Sequence, residues 1–161
     1  MDLQTDTPGK FETTPIVLDG VLYATGANNL AWALDARTGR VIWRYRRELP
    51  DGVMVCCGRV NRGFRILGDT LYLATLDAHL LAMDRKTGAI IWDAVLGDYK
   101  SAYSSTSAPL VVKDKVIIGI GGGEYGVRGH RRVRREDCEA GVALSHDPRP
   151  GRIWQRDVAD P

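Results

Sequence analysis

No stretch of this chain approaches the roughly 20 consecutive apolar residues that a membrane-spanning helix requires. The start, Met1-Asp2-Leu3-Gln4-Thr5-Asp6, carries neither a basic stretch nor an apolar core, so no secretory signal is expected in it. An excess of either charge is lacking as well, with 22 Lys and Arg against 20 Asp and Glu. A formal net charge of +2 gives no case for nucleic acid or a membrane surface as partner. No Lys-Ser/Thr pair follows the glycine-rich run near residue 121, which excludes a phosphate-binding loop. Histidine and cysteine number 3 each, and neither His79 nor His146 has a recognisable set of partners for a metal or catalytic site. What remains is an ordinary globular composition, 44% hydrophobic and 26% charged over 161 residues.

The chain repeats itself. Ala33-Leu34-Asp35-Ala36-Arg37-Thr38-Gly39-Arg40-Val41-Ile42-Trp43 returns 49 positions later as Ala82-Met83-Asp84-Arg85-Lys86-Thr87-Gly88-Ala89-Ile90-Ile91-Trp92. A strand start precedes each copy, Val21-Leu22-Tyr23 and Thr70-Leu71-Tyr72, and a third copy opens at Lys113-Asp114-Lys115-Val116-Ile117-Ile118. In the first unit Ile16-Val17-Leu18 should meet 21–24 across Asp19-Gly20, a strong two-residue hairpin signal. Residues 30–35 should then pair with 41–45 across a tight turn in which Gly39 takes positive φ. Four short strands per unit at this period predict propeller blades, an all-β architecture. Trp43 and Trp92, placed identically after Thr-Gly, are expected to make a recurrent contact between blades as well as filling core.

The Ala-x-Asp-x-x-Thr-Gly-x-x-x-Trp unit resembles the tryptophan-docking motif of the PQQ-dependent (quinoprotein) alcohol and methanol dehydrogenases, which are eight-bladed propellers. The resemblance covers about residues 1–130 and implies an N-terminal fragment holding about two and a half four-stranded blades, too few to close a ring.

Several residues match family positions that hold pyrroloquinoline quinone (PQQ) and calcium. Cys56-Cys57, shortly before Asn61-Arg62-Gly63, matches an adjacent-cysteine disulfide that forms a stiff platform against one face of the PQQ ring. Without that context, two reduced core thiols would explain the cysteines equally well. Arg62 matches the arginine that approaches the quinone oxygens, where a guanidinium stabilises charge as the ring is reduced. Thr106 fits the position whose hydroxyl donates to a PQQ carboxylate, and Glu12 matches a glutamate contacting the cofactor. A carboxylate facing carboxylates would need a shared proton or a mediating cation. Gly121-Gly122-Gly123 would let the backbone approach a flat ligand, and Glu124 matches the calcium ligand, a hard oxygen donor for a hard cation. Arg59 has no such match and is expected at the surface, and Cys138 is assigned no role.

The resemblance further implies oxidation of primary alcohols to aldehydes, with electrons passing to a cytochrome. It also implies a periplasmic parent enzyme, whose leader would have to come from a piece absent here. The family's asparagine calcium ligand, aspartate base and the tryptophan that covers the other ring face have no counterpart in this sequence, so the chain alone is expected to be inactive. A non-enzymatic propeller scaffold for protein contacts is the alternative. It has no need of an adjacent-cysteine platform or a Gly-Gly-Gly-Glu run.

After His130 the texture changes. Lys10, Lys86, Lys100, Lys113 and Lys115 all precede it, no lysine follows it, and Arg131-Arg132-Val133-Arg134-Arg135 opens a tail without period-2 alternation. With permitted codons, a shift of one nucleotide in 131–161 reads VAYDAKTAKPGWRFHTIPGPGEFGNETWP, which carries the expected third blade motif. Residues 131–161 are therefore expected to be a frameshifted, non-native tail, a reading the native codons decide.

Overall fold

A computed structural model describes residues 9–55, 58–113 and 115–122, together with the backbone of one strand at 142–145. Its first sheet runs β1 (Ile16–Leu18), β2 (Val21–Thr25), β3 (Leu30–Asp35) and β4 (Val41–Arg46), each strand antiparallel to the next. The second repeats this order with β5 (Arg65–Leu67), β6 (Thr70–Ala74), β7 (His79–Asp84) and β8 (Ile90–Val95). A third sheet contains β9 (Leu110–Val112), β10 (Lys115–Ile118) and β11 (Val142–Ser145), with β10 in the middle. The expected all-β, blade-by-blade architecture is present.

Local chemistry explains the strand ends. The β1–β2 turn places Asp19 at φ 52° and Gly20 at φ 75°, both left-handed as a two-residue hairpin of this hand demands. The β3–β4 turn is tied by Asp35, whose Oδ1 accepts from the Thr38 N–H at 2.7 Å and the Thr38 hydroxyl at 2.8 Å. Asp84 and Thr87 repeat the same bonds at 2.8 and 3.0 Å. These hydrogen bonds hold the Asp35 and Asp84 carboxyls below the usual range, against the opposing effect of desolvation.

In the first two sheets both faces of the middle strands are largely buried, so alternation there separates two interfaces rather than core from solvent. Tyr23, Ala31, Ala33 and Trp43 of the first sheet pack against Phe64, Leu71, Leu73, Leu81 and Met83 of the second. The alternate residues of the second sheet, Tyr72, Ala74, Leu80 and Ala82, meet Val116 and Ile118 of the third. Trp43 makes the expected contact between sheets. Its indole N–H donates to the Arg85 carbonyl oxygen at 2.9 Å, and its ring lies where a Cβ on Gly88 would come within 2.8 Å. Trp92 occupies the equivalent place in the second sheet and packs on its interface with the third.

The up-and-down order places particular loops together. Every first strand starts, every second strand ends and every fourth strand ends at the same face of the array. Residues 9–15, 26–29, 47–55, 58–64, 75–78, 96–109 and 119–122 therefore share that face. The β1–β2 and β3–β4 turns lie at the other.

Candidate functional site

The segments entering the three successive sheets run side by side. The Thr14 N–H donates to the Arg62 carbonyl oxygen at 3.0 Å, and the Arg62 N–H donates in turn to the Thr106 carbonyl oxygen at 3.0 Å. Side chains converge on the same line. Arg62 Nη1 donates to Thr106 Oγ1 at 2.7 Å, and Arg62 Nη2 donates to Glu12 Oε2 at 2.9 Å. Three residues singled out in sequence, Glu12, Arg62 and Thr106, thus form one contact cluster, though each belongs to a different repeat. The Arg62 and Glu12 side chains are 41% and 35% exposed, so water screens the ion pair and it adds little to stability. It aims the guanidinium instead, leaving a cation and a hydroxyl next to each other at the accessible face.

Behind Arg62 lies a buried polar network that sequence reasoning did not assign. Asn61, 1% exposed, donates from Nδ2 to the Ala74 carbonyl at 2.7 Å, and its Oδ1 accepts from the Gly63 N–H at 3.0 Å. The Thr25 hydroxyl donates to the Asn61 carbonyl at 3.1 Å and lies 2.9 Å from the Thr13 hydroxyl.

Gly121 lies beside these segments through a two-way bridge with Ser104, N–H to carbonyl at 2.8 and 3.1 Å. Gly122 has a requirement of its own. At φ 130° a Cβ would stand 2.4 Å from the Ala102 carbonyl oxygen. Close approach of chain to chain accounts for this glycine before any ligand is considered. A Cβ at Gly121 would meet nothing nearer than 3.6 Å. Cys56, Cys57, Gly123 and Glu124 lie outside the described residues. Arg59 is exposed, as expected, while its carbonyl oxygen accepts from the Asn28 N–H at 3.0 Å.

His79 has partners after all, supplied by tertiary structure. Its Nδ1 bonds the Asp93 carboxylate and its Nε2 lies 3.7 Å from Asp77 Oδ2. Arg47, leaving the first sheet, reaches Asp77 and Asp93 of the second at 2.8 Å each. Asn29 Nδ2 also donates to Asp77, at 3.3 Å. Burial alone would lower the affinity of Arg47 for its proton, but the two carboxylates more than reverse this. Burial pushes the Asp93 carboxyl up, and the hydrogen bonds from His79 and Arg47 outweigh it, leaving the group below its ordinary value. The cluster braces the first two sheets. Among the described residues no group of three or more His, Cys, Asp or Glu could hold a metal ion. An open hollow of about 510 Å³ lined by Asp19, Val21, Asp35, Arg37 and Ile42 lies at the opposite face and contains none of the site residues.

Among the described residues no helix is long and apolar enough to cross a membrane. A family model described as outer membrane protein assembly factor BamB, the PQQ_2 repeat, matches residues 3–159. The quinoprotein alcohol dehydrogenase PedH of Pseudomonas putida is 42% identical over 133 residues, covering 83% of this chain and 22% of that protein. The 1-butanol dehydrogenase (cytochrome c) of Thauera butanivorans is 43% identical over 122 residues, covering 74% of this chain and 18% of that protein. Among solved structures, the quinohemoprotein alcohol dehydrogenase ADHIIG of Pseudomonas putida HK5 superposes with a TM-score of 0.74 at 39% identity, over 92% of this chain and 20% of that one. The chain thus spans about a fifth of the length of these relatives. It belongs to the PQQ_2 repeat family, as a relative of its quinoprotein alcohol dehydrogenases.

Proposed function

We propose that this chain forms part of the cofactor site of a PQQ- and calcium-dependent alcohol dehydrogenase. The observation that carries the reading is the convergence of Glu12, Arg62 and Thr106, from three repeats, on one cation-and-hydroxyl cluster. That donor set suits a planar ligand bearing carboxylates and quinone oxygens. When bound, PQQ supplies an electrophilic quinone that accepts the reducing equivalents of an alcohol carbon.

The chain's own residues bind and orient. Arg62 sets a fixed positive charge at one edge of the site, and Thr106 offers its hydroxyl beside it. Glu12 holds the outer nitrogen of the guanidinium in place. Cys56 and Cys57 are assigned to a rigid wall, Gly121, Gly122 and Gly123 to close backbone approach, and Glu124 to the calcium ion. The substrate is a primary alcohol leaving as an aldehyde, the electron acceptor a cytochrome and the compartment of the parent enzyme the periplasm. The relative described as cytochrome-c-linked supports the acceptor. The chain by itself turns over no alcohol, and residues 131–161 are read as a frameshifted tail. The native codons test that last point: they must yield the third blade motif one nucleotide out of frame.

Titrating the 161-residue chain with PQQ and calcium while following quinone absorbance tests the site. A saturable shift that disappears in Arg62→Ala is the expected result. An unchanged titration in Arg62→Ala overturns the assignment.

A further inference from the structure

We propose that Asn61 is the positioning residue for Arg62, an inference that rests on reading Arg62 as a cofactor contact. An arginine has a long flexible stem, so Glu12 and Thr106 can aim a guanidinium two-fifths exposed only if its own backbone is held in place. Here that backbone is held on every side. The Arg62 N–H and carbonyl are both hydrogen-bonded, to Thr106 and Thr14. Directly before it, Asn61 bonds two sheets at once. Its side-chain amide reaches Ala74 at the end of β6, and its carbonyl takes the hydroxyl of Thr25 at the end of β2. Directly after it, Gly63 folds back to donate its N–H to Asn61 Oδ1. Gly63 sits at φ 124°, where a Cβ would meet the Thr14 carbonyl at 2.8 Å.

The chemistry of position 61 is narrow. It needs a donor toward the Ala74 carbonyl and an acceptor toward the Gly63 N–H, from one buried side chain. An amide supplies both. An aspartate keeps the acceptor but turns a carboxylate toward a carbonyl oxygen inside the protein, where an unpaired charge is costly. With both ends of its amide engaged by backbone, Asn61 acts through its neighbour.

The test uses the 161-residue chain, with amide hydrogen exchange read residue by residue and PQQ binding followed by absorbance with calcium present. Asn61→Asp should speed exchange at the Thr14 and Arg62 amides about tenfold or more while the β7 amides of Leu81 and Met83 keep their rates, and should weaken PQQ binding about tenfold. If Asn61→Asp does not fold, Thr25→Val, which removes one hydroxyl donor to Asn61, should give the same pattern at about threefold. Wild-type exchange at Thr14 and Arg62 in the variant overturns the proposal. So does equal acceleration at Leu81 and Met83, which would mark general loosening, or altered exchange with unchanged PQQ affinity. A wild-type chain that does not bind PQQ sinks the cofactor reading instead, and the exchange pattern then still decides whether Asn61 holds Arg62.

Discussion

Trp43 of the first sheet donates its indole N–H to the Arg85 carbonyl oxygen, on the β7–β8 turn of the second sheet, at 2.9 Å. The ring also lies edge-on to Phe64, with centroids 6.4 Å apart, and is 8% exposed. One side chain thus closes the joint by hydrogen bonding and by packing.

These two contributions separate by mutation. Trp43→Phe keeps most of the ring and loses the donor, so unfolding in urea should show a loss of about 1 kcal/mol. Trp43→Ala should cost about 3–5 kcal/mol, because it opens a cavity between two sheets. Equal losses in the two variants would show that packing contributes nothing here.

The glycines at 121 and 122 should behave differently although they are neighbours. Gly122→Ala combines a strained φ with a Cβ 2.4 Å from a backbone oxygen, and should lower stability by at least about 2 kcal/mol. Gly121→Ala meets only ordinary contacts and should stay within about 1 kcal/mol of the parent. Chemical unfolding of the two variants side by side checks this.

Acid should weaken the joint between the first two sheets through Asp93. Its folded-state carboxyl lies below the ordinary value, because hydrogen bonds from His79 and Arg47 exceed the opposing effect of burial. A carboxyl depressed on folding stabilises above its unfolded value of about 4, and that contribution is lost as pH falls through the folded value. Asp93→Asn should therefore be less stable than the parent near pH 7, with the gap narrowing below about pH 4. A gap that is constant with pH would refute the linkage.

Arg62→Lys should weaken PQQ binding about tenfold while leaving urea stability nearly unchanged. A single ammonium cannot serve Glu12 and Thr106 with the two-pronged geometry seen here, and the wild-type ion pair is too exposed to matter much for folding. Absorbance titration and urea unfolding on the same samples check both halves.

The strands were legible because the first two repeats state their period aloud: Asp-Gly or Gly-Asp at one turn, Asp-x-x-Thr-Gly at another, and a tryptophan four residues after the glycine. Glu12, Arg62 and Thr106 could be proposed only because each matches a family position; that each stands just before the first strand of its repeat is seen in the structure. Asn61 was visible only as part of a motif, since nothing in a linear sequence says that its amide will meet Ala74 and its carbonyl Thr25. His79 looked partnerless for a related reason. Asp93 is 14 residues away and Arg47 belongs to another sheet, so only the docking of sheets assembles their cluster. For Gly122 the sequence suggested room for a ligand, while the fold supplies the Ala102 carbonyl as a reason nearer at hand.

The Thr14–Arg62–Thr106 ladder has a kinetic consequence. Each sheet pairs strands that are consecutive along the chain and can zip up alone, whereas the Arg62 to Thr106 rung joins residues 44 apart. Closing so long a loop is slow until sheets already stand beside each other. The guanidinium therefore acquires its aim late in folding, and a chain caught before that moment would show full strand content with an arginine still pointing nowhere.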